Sequence, residues 1–298
     1  MANSGRLAAA FLLAAVLSAR PALVIAQAVQ RSLYVSVLDQ SGAPVADLGP
    51  SDFIVRENRT AREVLRVEHA DEPMQIALLV DNSQAAEPYI RDYREALPTF
   101  IAALTDATGP KNEIALVTLA ERPTIITAYT SDPSQLQKGV QRIFSMSGSG
   151  TYLLDGIIEV SQGIIKRHSL RPVMIAIATE GPELSDRPFA AVLDPLHDSG
   201  AAFHVVILGL PQNRSHDRAV VLDEGTRESG GRYDNLLAGT ALTGRLKQIA
   251  RDLTSQYRVT YARPQALIPP ERVTVGTARP GLTARGTPAP EERERGRR

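Results

Sequence analysis

Four long apolar runs constrain the fold of this chain more than any other feature. They are IALLVD (76–81), EIALVTLA (113–120), PVMIAIAT (172–179) and AFHVVILGL (202–210). A strand with one wet face alternates apolar and polar residues. These runs do not, so they are expected to be strands covered on both faces. Helical spacing fills the intervals between them: 87–104, with Tyr89, Ile90, Tyr93, Leu97, Phe100, Ile101 and Leu104 on one stripe, then 133–143, 152–166, 189–197, 218–228 and 242–256. TIITAY (124–129) follows a tight Arg-Pro turn and is expected to pair antiparallel at an edge, while SGGRYDN leads by a glycine turn into a short strand. Strands alternating with helices make the fold class α/β, a doubly wound, mostly parallel sheet. With 43% hydrophobic residues the chain has enough apolar side chains for such a core.

The flanks read differently. SLYVSVLD (32–39), FIVREN (53–58) and EVLRVEHA (63–70) are short and strand-like, and QYRVTYARP (256–264) and ERVTVGTA (271–278) alternate cleanly. Three short strands alone bury little. The leading and trailing strands are therefore expected to form one small accessory sheet, with the α/β unit inserted between its halves. The boundaries expected are 29–72 for the leading strands, 73–256 for the α/β domain and 257–285 for the trailing strands. Residues 286–298 are Pro-rich and then charge-dense, and read as a disordered tail.

Residues 1–28 read as an export signal. Arg6 supplies the positive start, LAAAFLLAAVL (7–17) is an apolar run of signal length, and Ala26-Gln27-Ala28 is a small-x-small cleavage site. The alternative is an uncleaved anchor, since apolar character resumes at Ala22. The broken run and the Ala-x-Ala site favour cleavage, which places the mature protein in the periplasm or outside the cell, with no membrane span after cleavage. The chain has no cysteine, which excludes disulfides, thiolate metal sites and cysteine nucleophiles. Its formal net charge of zero argues against nucleic acid as a partner.

In an open parallel sheet, ligands bind beyond the carboxyl ends of strands where strand order reverses. The first buried run ends at Asp81 and Ser83, and the third at Thr179, Glu180 and Gly181. Between them, SMSGSGTYLLDGI carries a glycine-rich loop ending at Thr151. Asp81, Ser83, Thr151 and Glu180 are hard oxygen donors suited to Mg2+, Mn2+ or Ca2+ rather than zinc. Three of them also have a bland reading: Asp81 and Ser83 as a strand end and helix cap, Thr151 as a helix cap after glycines. Asp155 reads as a carboxylate favouring the helix start. The five histidines show no metal-ligand spacing; His204 is expected to be a hydrogen-bonded core residue, and His69 to lie in a solvated linker. No dinucleotide fingerprint, Gly-Lys-Ser/Thr phosphate loop or Gly-x-Ser-x-Gly elbow is present.

Taken together these segments resemble a von Willebrand factor A (VWA) domain, specifically the exported bacterial VWFA-related group. Asp81 and Ser83 match the first two positions of the family's metal-ion-dependent adhesion site, Asp-x-Ser-x-Ser. The third serine falls on Ala85, the threonine on Thr151 in GSGTYLLDGI, and the later aspartate on Glu180 in IATEGPE. ESGGRYDN, DLTSQYRVTY and VLDQSGAPVADLGPSDFIVREN resemble further segments of the group. The resemblance implies a Rossmann-like fold and a non-enzymatic role: protein binding or assembly in the cell envelope, with the cation's open position accepting a partner carboxylate. It also implies a degenerate site, because Ala85 cannot coordinate and Glu180 is one methylene longer than the family's aspartate. Two alternatives stay open: a metal-free scaffold and a metal-dependent hydrolase using Asp81 and Glu180.

Overall fold

In the computed structural model, which describes residues 28–212, 215–265, 270 and 272–290, the chain opens with β1 (Ala28–Leu38), β2 (Phe53–Glu57), β3 (Thr60–Arg62) and β4 (Val64–His69). The α/β unit follows as β5 (Gln75–Val80), α1 (Ile90–Leu104), β6 (Glu113–Thr118), β7 (Thr124–Thr130), α2 (Pro133–Gln141), α3 (Leu153–Arg167), β8 (Pro172–Thr179), α4 (Phe189–Ser199), β9 (Ala202–Leu208), α5 (His216–Glu228), β10 (Tyr233–Leu236) and α6 (Leu242–Thr254). The chain then returns through β11 (Tyr257–Pro264), β12 (Val273–Thr277) and β13 (Thr283–Pro288).

The central sheet has six strands in the order β10-β9-β8-β5-β6-β7. All its pairings are parallel except β6 with β7, which is antiparallel at the edge. Covering on both faces explains the continuous apolar runs. Ile76, Leu78 and Val80 of β5 pack on one side with Tyr93, Leu97 and Phe100 of α1 and Leu246 and Leu253 of α6. Ala77 and Leu79 pack on the other with Leu153 and Ile157 of α3, beside Leu196 of α4 and Val221 of α5. Each fully buried Leu, Ile or Phe contributes roughly 1.5–3 kcal/mol. Strand order reverses between β5 and β8, whose ends carry Asp81 and Glu180.

The flanking strands depart from the single accessory sheet expected of them. They form two antiparallel sheets, β13-β1-β11-β4 and β12-β2-β3, each built from both ends of the chain. Asn58 and Arg59 both have positive φ, 46° and 72°, so the chain turns tightly after β2 and pairs it with the short β3. Two facing sheets also cover apolar residues that one sheet would leave wet: Leu33, Val35, Phe53, Val55, Val259 and Tyr261 share one core. Glu57 is buried there, accepting from Arg62 Nε at 2.9 Å and Tyr261 Oη at 3.0 Å. The last strand runs to Pro288, three residues past the boundary expected at 285. Ala28 of the expected signal segment lies opposite Pro264 in β1, and the rest of that segment lies outside the described residues, as do 291–298 of the expected tail. Among the described residues no helix is long and apolar enough to cross a membrane.

Arg171 joins the two units where the chain crosses between them. Its Nη1 donates to the carbonyls of Ala70 (2.9 Å) and Glu72 (3.0 Å), and Nη2 to Leu253 O (2.7 Å) and Gln256 Oε1 (2.9 Å). The guanidinium carbon sits 5.0 Å from the centre of the Tyr34 ring. One buried cation therefore holds both crossings of the chain, at 70–72 and 253–256.

Candidate functional site

β5 delivers Asp81 to the carboxyl end of the sheet, and its backbone N–H still donates into the ladder at Ile177 O, 2.8 Å away. Asp81 is fully buried. Its Oδ1 accepts the Ser83 N–H at 2.9 Å, and Oδ2 accepts both the Thr179 N–H (3.1 Å) and the Thr179 hydroxyl (2.6 Å). The carboxylate is thus held between the end of its own strand and the end of β8.

Ser83 and Thr151 are also fully buried, and neither hydroxyl has a hydrogen-bond partner. That weakens the capping readings. The Ser83 hydroxyl caps none of the N–H groups of the 3-10 turn it precedes (Gln84–Tyr89), and α3 is entered through Tyr152, not Thr151. Thr151 instead bridges Ala120 and Glu183, which fixes it among three loops. The loops of Ser83 and Thr151 touch: Gln84 N–H donates to Ser149 O at 3.3 Å, and Gly148 N–H donates to Gln84 Oε1 at 2.9 Å. A buried hydroxyl left unpaired costs about 1–3 kcal/mol, so two in one small region call for an explanation.

Glu180 does not join them. Its Oε1 accepts from Asn235 Nδ2 at 3.1 Å, and Asn235 lies on β10, beyond β9 and on the side away from β5. The extra methylene lets the carboxylate reach across β9. Ala85 offers no donor, and its Cβ packs against Gly181: a Cβ built on that glycine would lie 2.3 Å from it. Among the described residues no group of three or more His, Cys, Asp or Glu side chains is gathered to hold a metal ion. What remains is one carboxylate and two unpaired hydroxyls, a reduced but chemically suitable hard-oxygen set.

Several residues of this region were not singled out from the sequence. Asn82 is buried and receives the Leu119 and Ala120 N–H groups at Oδ1 (3.2 and 2.9 Å), while its Nδ2 donates to Phe144 O (3.1 Å). Tyr93 on α1 is fully buried with its hydroxyl unpaired, and its pKa is pushed well up, first by burial and then by the Asp81 charge. Arg218 on α5 is buried and donates to the carbonyls of Thr179 (2.6 Å) and Gly181 (3.1 Å). An Asn, a Tyr on an apolar helix stripe and an Arg in a helical run carry no local sign of such roles; only the topology brings them here.

Beside this region a cavity of about 770 Å³ opens between the ends of β8, β9 and β10, lined by Tyr89, Glu180, Glu183, Leu210, Arg218 and Leu237 among others. Phe144, Met146, Leu184, Leu210 and Leu237 are exposed apolar residues on loops at this same end of the sheet. Asp155 sits in the first turn of α3 and accepts from Arg187 Nε at 2.7 Å. His69 is exposed and pairs with Asp71, but it ends β4 opposite Tyr257 and so does not lie in the linker expected. His204 is buried, but neither ring nitrogen has a partner, contrary to the satisfied core residue expected. It lies on β9 between Phe203 and Val205, opposite Ile175 of β8, and feels the charges of Arg285 and Arg232.

No family model matches the sequence, and no curated protein matches it. Solved structures do. Proximal thread matrix protein 1 from the mussel byssus, with a zinc-occupied MIDAS motif, superposes with a TM-score of 0.50 at 11% identity, over 70% of this chain and 50% of that one. A von Willebrand factor type A protein from Catenulispora acidiphila gives a TM-score of 0.48 at 11% identity, covering 86% of this chain and 72% of that one. BatB from Bacteroides thetaiotaomicron gives 0.46 at 12% identity, over 61% and 100%. At such identities the likeness concerns the fold alone. The six-stranded order, the single antiparallel edge strand and the reversal between β5 and β8 agree with it. The α/β unit of this chain has the von Willebrand factor A fold.

Proposed function

We propose that this chain is a protein-binding module of the cell envelope, exported from the cytoplasm, that docks a partner on the carboxyl-end face of its α/β sheet. A divalent cation, Mg2+ or Mn2+, is held there by Asp81, Ser83 and Thr151. The observation that carries the reading is the pair of buried, unpaired hydroxyls on Ser83 and Thr151 beside a buried carboxylate. A cation there satisfies both oxygens and supplies an open position for a partner's Asp or Glu. Thr179 keeps Asp81 oriented by donating two hydrogen bonds to it. Asn82 keeps the neighbouring loops at fixed height. The exposed Phe144, Met146, Leu184, Leu210 and Leu237 supply apolar contact around the site, as a docking face needs. The zinc-occupied MIDAS of the mussel protein is a precedent for metal on this fold.

A second reading, a metal-free scaffold, draws on Ala85 and on Glu180, whose carboxylate is engaged by Asn235. The hydrolase reading is weaker: its carboxylate pair needs Glu180 beside Asp81, and Glu180 reaches toward β10 instead. Calorimetric titration of the protein with Mg2+ and Mn2+ tests the proposal. Saturable binding that is lost in Asp81→Ala supports it; absence of binding in the wild type leaves the scaffold reading.

A further inference from the structure

We propose that Arg218 is a positioning residue that sets the cation affinity of the Asp81 site from the opposite side of β8, an inference that rests on the cation reading above. Arg218 enters from the first turn of α5 and is 2% exposed. Its Nη2 donates to Thr179 O at 2.6 Å and its Nη1 to Gly181 O at 3.1 Å, so the planar guanidinium spans both ends of the Thr179–Glu180–Gly181 turn.

That turn fixes Asp81. The Thr179 hydroxyl accepts the Gly181 N–H at 3.3 Å, which leaves its own proton to donate to Asp81 Oδ2 at 2.6 Å. The Thr179 N–H adds a second bond to the same oxygen at 3.1 Å. The route is therefore continuous: Arg218 holds two carbonyls, the held turn orients one hydroxyl, and that hydroxyl orients the carboxylate. Arg218 donates to the two carbonyls and not to the hydroxyls of Ser83 and Thr151, which have no hydrogen-bond partner. It acts only by keeping β8's end rigid. Outer partners of this kind typically govern metal affinity by about 10- to 100-fold.

The arrangement ties the site to α5. Any partner that shifts the start of α5 moves Arg218, and with it the turn that holds Asp81. Arg218 also lines the cavity between β8, β9 and β10, so a partner group entering that cavity bears on the same route.

The test is Mn2+ affinity by calorimetry for the wild type, Arg218→Lys, Arg218→Met, Thr179→Val and the Arg218→Met/Thr179→Val double variant, with thermal midpoints in chelator beside each. Lys keeps the charge and loses the fork. If the route is right, each single variant weakens Mn2+ binding by about tenfold or more, and the double variant is no weaker than the worse single one. Arg218→Lys and Thr179→Val keep the test alive if Arg218→Met does not fold. Unchanged Mn2+ affinity in the Arg218 variants, with lowered midpoints in chelator, means a structural role only and overturns the proposal. Additive losses in the double variant also overturn it, because they would show two independent routes. Absence of Mn2+ binding in the wild type would instead refute the cation reading on which it rests.

Discussion

Replacing His204 by leucine should remove a specific acid sensitivity, and its size follows from the structure. His204 is 3% exposed, with both ring nitrogens unpaired. Its pKa is pushed down to about 3, first by burial and then by the charges of Arg285 and Arg232. Asp252 does not answer it directly, since its Oδ2 receives Arg285 Nη2 at 3.1 Å. The folded pKa lies below the unfolded value of roughly 6.5, so between these values the unfolded chain binds the extra proton. Stability is therefore fully present above about pH 6.5 and falls as pH drops toward the folded pKa. At pH 4.5 the loss amounts to roughly 2.7 kcal/mol, two pH units below the unfolded value at about 1.36 kcal/mol each. Urea unfolding of wild type and His204→Leu at pH 7.5 and 4.5 measures this, because other titrating groups cancel in the difference. The leucine variant should match or exceed the wild type at pH 7.5, having shed two unpaired nitrogens, and its advantage should grow by about 2–3 kcal/mol at pH 4.5. A gap that does not change with pH would refute the reasoning.

Arg171→Ala should cost about 3–5 kcal/mol in urea unfolding, since it strips four acceptors at both crossings between the two units; a loss below about 1 kcal/mol would show that the crossings hold without it. Gly231→Ala should destabilise by about 3 kcal/mol or more, or prevent folding, because the added Cβ would lie 1.8 Å from the Phe203 carbonyl oxygen; circular dichroism and a thermal melt would reveal a tolerant backbone if this is mistaken.

The parts of this molecule legible in the sequence are those that repeat a pattern. The runs 76–81, 113–120, 172–179 and 202–210 announced buried strands because burial on both faces removes alternation, whereas the reversal between β5 and β8 is set by strand order, which the carboxylates at the strand ends do not fix. The antiparallel edge at β7 was legible from its short Arg-Pro connection, too short for a crossover. The second accessory sheet was not, because it hinges on positive φ at Asn58 and Arg59, neither of which is glycine. At the site, residue type and strand position picked out Asp81, Ser83 and Thr151. They could not reveal that Glu180 is taken up by Asn235, 55 residues away in sequence. Nor could they reveal that His204 lacks any partner.

The central claim is that Ser83 and Thr151 are buried unpaired because a cation pairs them. Thermal unfolding of wild type and Ser83→Ala/Thr151→Val, in chelator and in excess Mn2+, tests it directly. In chelator the double variant should be at least as stable as the wild type, since each orphan hydroxyl costs about 1–3 kcal/mol. In Mn2+ at a hundred times the dissociation constant the wild type should gain about 2.7 kcal/mol and the variant nothing. A wild-type midpoint that Mn2+ does not raise, or a rise that survives in the variant, would contradict the account.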